Sequence, residues 1–246
     1  MRMKKKRHGG ERLLLMSALT VEEPASVPEN IEKIYGNSNP LRIEIGCGKG
    51  DFIRGKAVQE SEYNYLAIEK IADVLTIATE KYAFSKGLGN LAPNGGWQTP
   101  DGVVYPLGSN AIEFTKEQIG NVRFCVGDAA ELLKDLPDNS VDTIYVNFCD
   151  PWKKKGQRKR RLTYITFLNM YSRLLVPGGK FCFKTDNRPL FDFSLEQIEE
   201  SSFKIEYKTN DLHASEMNAT NIQTEYERNF TEKGFKINML IAKNDK

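Results

Sequence analysis

Five extended residues run straight into a glycine turn: Leu41-Arg42-Ile43-Glu44-Ile45, then Gly46-Cys47-Gly48-Lys49-Gly50, with a helical segment behind them to about Glu60. Three glycines between a strand and a helix permit a tight turn and let the backbone approach a ligand closely. The same rhythm then repeats. Residues 65–69 predict a strand, 72–83 a helix, 122–126 a strand, 129–133 a short helix and 141–148 a strongly apolar strand. Leu162, Ile165, Leu168, Tyr171 and Leu175 recur every three or four residues, one face of a helix, which Pro177-Gly178-Gly179 is expected to stop. A strand at 181–183, a helix at 190–200 and strands at 203–207 and 235–242 complete the count. Strands alternating with helices predict an α/β fold around a parallel sheet with right-handed crossovers. Ligands in such folds bind at the carboxyl ends of the strands, so the residues just after each strand are the ones that matter.

Two stretches break the rhythm. Residues 1–40 begin basic and become turn-rich, and they read as an N-terminal arm ahead of a domain spanning 41–246. Residues 85–111, rich in glycine and proline with little periodicity, read as an insertion or long loop. With 40% hydrophobic and 28% charged residues the chain is neither disordered nor collagen-like. No apolar run approaches the ~20 residues of a membrane helix. The cysteines at 47, 125, 149 and 182 show no metal spacing, and His8 and His213 alone cannot build a His-rich metal site. A reduced, cytoplasmic setting fits.

The formal net charge of +2 conceals a segregation. Arg2, Lys4, Lys5, Lys6, Arg7 and Arg12 crowd the first twelve residues against Glu11 alone. Lys153, Lys154, Lys155, Arg158, Lys159, Arg160 and Arg161 follow one another with no acid between them, so the rest of the chain is net acidic. Unbroken like charge favours a polyanionic partner over a solvated face.

The candidate site residues stand at strand ends. A dinucleotide fingerprint would need glycines at 46, 48 and 51, and position 51 is Asp51. Glu69 ends the second strand, where a carboxylate can accept ribose hydroxyls. Asp128 suits either an adenine amino group or the N-cap of the following helix. Asp150 and Trp152, in Asn147-Phe148-Cys149-Asp150-Pro151-Trp152, leave the fourth strand just ahead of the basic run. Cys149 reads as a buried thiol rather than a nucleophile, and Trp152 either stacks on a base or packs the corner.

Glu44 with Gly46, Gly48 and Gly50 resembles the first motif of class I S-adenosylmethionine-dependent methyltransferases. Asp150-Pro151-Trp152 with its basic run ending Lys159-Arg160-Arg161-Leu162, Lys184-Thr185-Asp186 and Thr224-Glu225-Tyr226-Glu227 closely resemble, in that order, the motifs of the tRNA (guanine-N7-)-methyltransferases. The resemblance covers Leu41 to the C-terminus. It implies a Rossmann-like, mostly parallel seven-stranded sheet with helices on both faces. It implies a cytoplasmic enzyme, monomer or homodimer and without an obligate metal, that moves a methyl group from S-adenosylmethionine to N7 of a variable-loop guanosine in tRNA. Glu44, Gly46, Gly48, Gly50, Glu69, Asp128 and Asp150 would then line the cofactor site. Lys154, Asp186, Thr224, Glu225, Tyr226 and Glu227 would meet the guanosine. The family usually carries Pro where Lys153 stands and often His-His where Gln157-Arg158 stand.

N7 of guanine has an in-plane lone pair and no proton, so the reaction asks for alignment and charge stabilisation rather than a base. Asp150 is the expected catalytic residue, and Glu227 a candidate acceptor from the guanine Watson–Crick edge. Two other readings remain: an amino-methyltransferase, whose Asn/Asp-Pro-Pro-aromatic motif would need a second proline after Pro151, and an RNA-binding protein with a relict cofactor site.

Overall fold

In the computed structural model, which describes residues 8–246, alternate residues of the central strands feed two separate cores. The strands are β1 (Leu41–Ile45), β2 (Asn64–Glu69), β3 (Val122–Val126), β4 (Val141–Asn147), β5 (Leu175–Thr185), β6 (Phe203–Thr209) and β7 (Asn238–Asn244). The helices used below are α1 (Gly9–Leu15), α2 (Asp51–Gln59), α3 (Ala72–Ser85), α4 (Ala129–Leu132), α5 (Ile165–Leu174), α6 (Arg188–Glu199) and α7 (Glu225–Thr231). Leu41, Ile43 and Ile45 point to one face with Leu168 and Tyr171 of α5 and Leu190 and Phe191 of α6. Tyr65 and Ala67 point to the other, with Phe52 and Ile53 of α2 and Leu75 and Tyr82 of α3. Burial on both faces is what parallel strands require.

The sheet order is β3-β2-β1-β4-β5-β7-β6. Pairings β1–β2, β1–β4, β2–β3 and β4–β5 are parallel; β7 runs antiparallel to both β5 and β6. Strand order therefore reverses between β1 and β4, which opens a crevice at their carboxyl ends. Mostly parallel and seven-stranded, this is the architecture the alternation predicts.

Two expectations gain detail and one needs correction. Residues 8–40 of the N-terminal arm pack against the domain. Leu15, Met16 and Leu19 are buried in the α3 face, Arg12 donates to Glu80 at 2.7 Å, and Val21 N–H donates to Phe124 O at 2.9 Å beside the β3 edge. The basic residues 2–7 lie outside the described residues. Residues 85–111, read as an insertion or long loop, carry structure of their own. Asn90–Leu91, Trp97–Gln98 and Val104–Tyr105 pair into a small antiparallel sheet around a buried Trp97, whose Nε1–H donates to Leu88 O at 2.9 Å. Strands of two residues leave no periodic trace in a sequence. Finally, Pro177-Gly178-Gly179 does not separate α5 from its strand; it lies inside β5, opposite a register shift in β4. A Cβ on Gly179 would come within 2.8 Å of Asp142 O, so only glycine allows that approach.

Candidate functional site

A cavity of about 800 Å³ opens at the carboxyl ends of β1, β2, β3 and β4, on the crevice where strand order reverses. Of the glycine turn, Gly46 lines it. Gly46, Gly48 and Gly50 have φ of +75°, +56° and +78°, left-handed values that explain why side-chain-bearing residues are absent there. Glu69 holds the turn from the next strand: Gly48 N–H donates to its Oε2 at 3.1 Å and Ile71 N–H to its Oε1 at 2.9 Å. Asp128 also lines the cavity, and it is the N-cap of α4, accepting from Ala130 N–H at 3.0 Å, while Lys70 donates to its second oxygen at 2.6 Å. Those bonds, with Lys70 foremost, hold its carboxyl below the usual range. Capping and a place on the cavity wall therefore coexist.

Glu44 differs from these. It lies beneath the wall, 1% exposed, accepting from Asn147 Nδ2 at 3.1 Å. Its Oε2 has no hydrogen-bond partner among the described residues. Burial raises its carboxyl to about 7 against the opposing pull of Asn147 and Lys184. A buried carboxylate oxygen without a donor is costly, and such orphans call for an explanation.

β4 delivers the fourth edge. Beyond Asn147 the chain enters a strained corner: Phe148 and Trp152 have φ of +55° and +40°. Left-handed non-glycine residues cost about 1–3 kcal/mol each and persist only where their surroundings over-determine them. Between them sits Asp150, exposed and on the cavity wall. Cys149 beside it is half-buried on the cavity wall, and burial and then Asp150 push its thiol up to about 12, which disfavours the thiolate that a nucleophile would need.

The basic run becomes a 3₁₀ helix over Lys155–Arg160. Lys153, Lys154, Lys155, Arg158, Lys159 and Arg160 are exposed and form no ion pair among the described residues. Lys159 and Arg160 reach the cavity wall and the Arg160 guanidinium lies 4.9 Å from the Trp152 ring centroid, whereas Lys154 stands outside the wall. Arg161 turns inward, 8% exposed.

The residues expected to meet the guanosine divide sharply. Tyr226, on α7, is exposed at the rim: its ring centroid is 5.0 Å from that of Phe148, and its hydroxyl donates to Asp186 Oδ1 at 3.4 Å. Burial, then Asp186 and Asp150, push that hydroxyl up to about 12, so both acids bear on one mouth. The other three are turned to structural work. Thr224 caps α7 through Glu227 N–H at 3.0 Å, and Glu225 accepts from Lys49 at 2.8 Å. Glu227, expected at the guanine edge, is 0% exposed and accepts from Lys184 Nζ at 2.9 Å and Asn221 Nδ2 at 2.6 Å, with His213 Nε2 at 2.8 Å. Burial alone would raise its carboxyl, but Lys184, Asn221 and His213 together outweigh it and the net shift is downward. With both oxygens engaged and no exposed surface, Glu227 has no free oxygen for a base edge.

Sequence reasoning gave no role to Lys184, Asn147, His213 or Asn221, although Lys184 stands in the motif Lys184-Thr185-Asp186. Lys184 is the hub: 3% exposed, it also donates to Asn221 Oδ1 at 3.0 Å and Ile222 O at 3.1 Å, and it pulls on Glu44 electrostatically. A lysine inside the apolar strand Phe181-Cys182-Phe183-Lys184 was the available signal, because lysine is almost never buried unpaired.

The comparisons with known proteins bear on the fold and the family. A family model described as "Putative methyltransferase" matches residues 38–240. A tRNA (guanine-N(7)-)-methyltransferase of Listeria innocua is 38% identical over 246 residues, covering all of both chains. One of the same description from Lactococcus lactis subsp. cremoris is 36% identical over 244 residues, 99% of this chain and 98% of that one. Among solved structures, a 16S rRNA methyltransferase superposes with a TM-score of 0.57 at 13% identity over 88% of this chain and 93% of its own. An antibiotic-related methyltransferase gives 0.54 at 14% identity over 92% and 98%. At such identities the structural likeness speaks for the fold alone, but the full-length relatives go further: the chain belongs to the tRNA (guanine-N(7)-)-methyltransferase family.

Proposed function

We propose that this protein transfers a methyl group from S-adenosylmethionine to N7 of a guanosine in the variable loop of tRNA. The observation that carries the reading is the meeting of two features at one mouth: the glycine-turn cavity, and the strained corner whose Asp150 acts electrostatically on Tyr226, the residue that bonds Asp186. The residues fit the methyl donor's chemistry. The orphaned Oε2 of Glu44 suits an ammonium group, Glu69 offers carboxylate oxygens beside the turn, and Asp128 stands where an adenine amino group would donate. Gly46, Gly48 and Gly50 keep the turn open by carrying no side chain. Bound there, S-adenosylmethionine would supply an electrophilic methyl on a sulfonium.

The chain's own part is orientation and charge. N7 attacks through its lone pair, so no residue has to remove a proton. Asp150 stabilises the positive charge that substitution at N7 places on the base, with Asp186 in support. Tyr226 and Trp152 offer rings for the base, and stacking contributes roughly 1–3 kcal/mol per base. The exposed lysines and arginines from Lys153 to Arg160 hold phosphates, and they steer as well as bind. Of the four residues from Thr224 to Glu227, Tyr226 touches the base and the other three build its support. The catalytic domain spans 41–246 with residues 8–40 fastened to it. A tRNA substrate puts the enzyme in the cytoplasm, working as a monomer or homodimer; no helix among the described residues is long and apolar enough to cross a membrane.

The test is transfer of labelled methyl from S-adenosylmethionine to unmodified tRNA, beside calorimetric titration of the cofactor alone. Binding of the cofactor with label in tRNA is expected. Folded protein that binds the cofactor and leaves tRNA unlabelled overturns the substrate, and failure to bind the cofactor overturns the whole reading.

A further inference from the structure

Arg161 does not behave like the rest of its run. Six neighbours in sequence expose their charge; Arg161 is 8% exposed and makes no ion pair among the described residues. Its guanidinium is occupied from within. Nε donates to Pro151 O at 2.9 Å, Nη2 donates to Trp152 O at 3.3 Å, and the group lies 4.3 Å from the ring centroid of Phe193 on α6. Those two carbonyls belong to the residues directly after Asp150. They lie in the corner whose Phe148 and Trp152 hold left-handed φ values. A guanidinium presents donors in a rigid planar fork, so two bonds to successive carbonyls fix the direction of both peptide planes. An ammonium is a point charge on a flexible stem and cannot do the same.

We infer that Arg161 is a positioning residue: it clamps the Asp150 corner in its strained conformation, and it is not one of the phosphate contacts its sequence neighbours supply. The strain has to be over-determined by something, and Arg161 supplies two hydrogen bonds at the peptide units that need them. Phe193 in turn seats the guanidinium, and its own ring stacks against Tyr164 with centroids 6.4 Å apart, which ties the corner to α6. The inference rests on the reading of the cavity as the methyl-transfer site, since only there does the aim of Asp150 set a rate.

The experiment compares full-length protein with Arg161→Lys and Phe193→Leu in steady-state tRNA methylation over a salt series. Acrylamide quenching of tryptophan provides a readout that needs no activity. Trp97 is buried, so changes in quenching report Trp152. Arg161→Lys is expected to lower kcat by roughly 10- to 100-fold, as misplacement of about 1 Å does. KM for tRNA should stay within about twofold, the salt slope should hold, and Trp152 should become more accessible to acrylamide. Phe193→Leu should lower kcat several-fold with the same pattern. Wild-type kcat with a raised KM and a shallower salt slope in Arg161→Lys overturns the clamp in favour of a phosphate contact. If Arg161→Lys does not fold, Phe193→Leu decides: unchanged kcat and unchanged quenching overturn the inference. If the unaltered protein methylates no tRNA, the functional reading fails by itself, and quenching still judges the clamp.

Discussion

The corner at Phe148–Trp152 and the start of α7 at Thr224–Glu227 are equally conspicuous in the sequence, yet the fold uses them in opposite ways. The corner displays: Asp150 is exposed on the cavity wall, and the backbone on either side is held in a conformation that side chains disfavour. The helix start supports: Thr224 caps, Glu225 pairs with Lys49, and Glu227 anchors Lys184, His213 and Asn221 from full burial. Only Tyr226 faces the mouth. A motif can mark a substrate contact or the strut behind one, and burial with engaged hydrogen bonds tells them apart.

Breaking the strut should produce the largest effect. Glu227→Ala would leave Lys184 buried without its carboxylate, a loss of about 3–5 kcal/mol in stability, and activity should fall only because the fold does; chemical denaturation checks this. A stable Glu227→Ala protein that no longer discriminates against guanosine analogues altered at the Watson–Crick edge would return Glu227 to the base. Asp150→Ala should do the reverse. Because Asp150 is exposed, the denaturation midpoint should hardly move, while kcat falls by about 10²–10³-fold, the scale of a lost electrostatic contact in a transition state. Retained turnover would remove Asp150 from the chemistry and erase the contrast.

The basic run sharpens it further. Replacing Lys154, Lys155, Arg158 and Lys159 together by Ala should weaken tRNA binding and change the log–log salt slope by roughly 3–4 if four phosphate contacts are lost. Binding isotherms at several salt concentrations decide, and an unchanged slope returns these residues to a solvated face.

A smaller effect concerns Glu44. Its ordinary value is 4.5 and burial raises it to about 7 in the folded protein. Between those values the folded chain keeps a proton that the unfolded chain has released. Stability therefore falls as pH rises from 4.5 to 7 and levels off above. Glu44→Gln does not titrate, so it should melt a few degrees higher than the unaltered protein above pH 7, with the gap closing toward pH 4.5. The same variant should bind S-adenosylmethionine more weakly, since the anionic acceptor is gone. Thermal scans across pH would detect a gap of the wrong sign.

Much of this was legible in the residues. The strand–turn–helix at Leu41–Gly50 and the apolar β4 name the crevice because period-two and glycine signals are local. Asp150 follows from its place after β4. A lysine in an apolar strand hinted at burial, but its partner was not legible. Lys184 and Glu227 are paired across 43 residues of sequence, and nothing in α7, a helix of 7 residues, is long enough to reveal which face turns inward. Arg161 was hidden by its neighbours, since a run of like charge reads as one surface until one member is seen to bond backwards to Pro151 and Trp152. The strain at Phe148 and Trp152 is a property of the backbone that no residue type at those positions announces.

By this reading the cavity and the Asp150 corner together methylate guanine at N7. Nucleoside analysis of an unmodified tRNA transcript, after incubation with the protein and S-adenosylmethionine, tests it most directly. 7-Methylguanosine from a variable-loop guanosine is expected, and none when that guanosine is replaced by adenosine. Methyl groups found on another atom or another base, or no methylated nucleoside from protein that binds the cofactor, would contradict it.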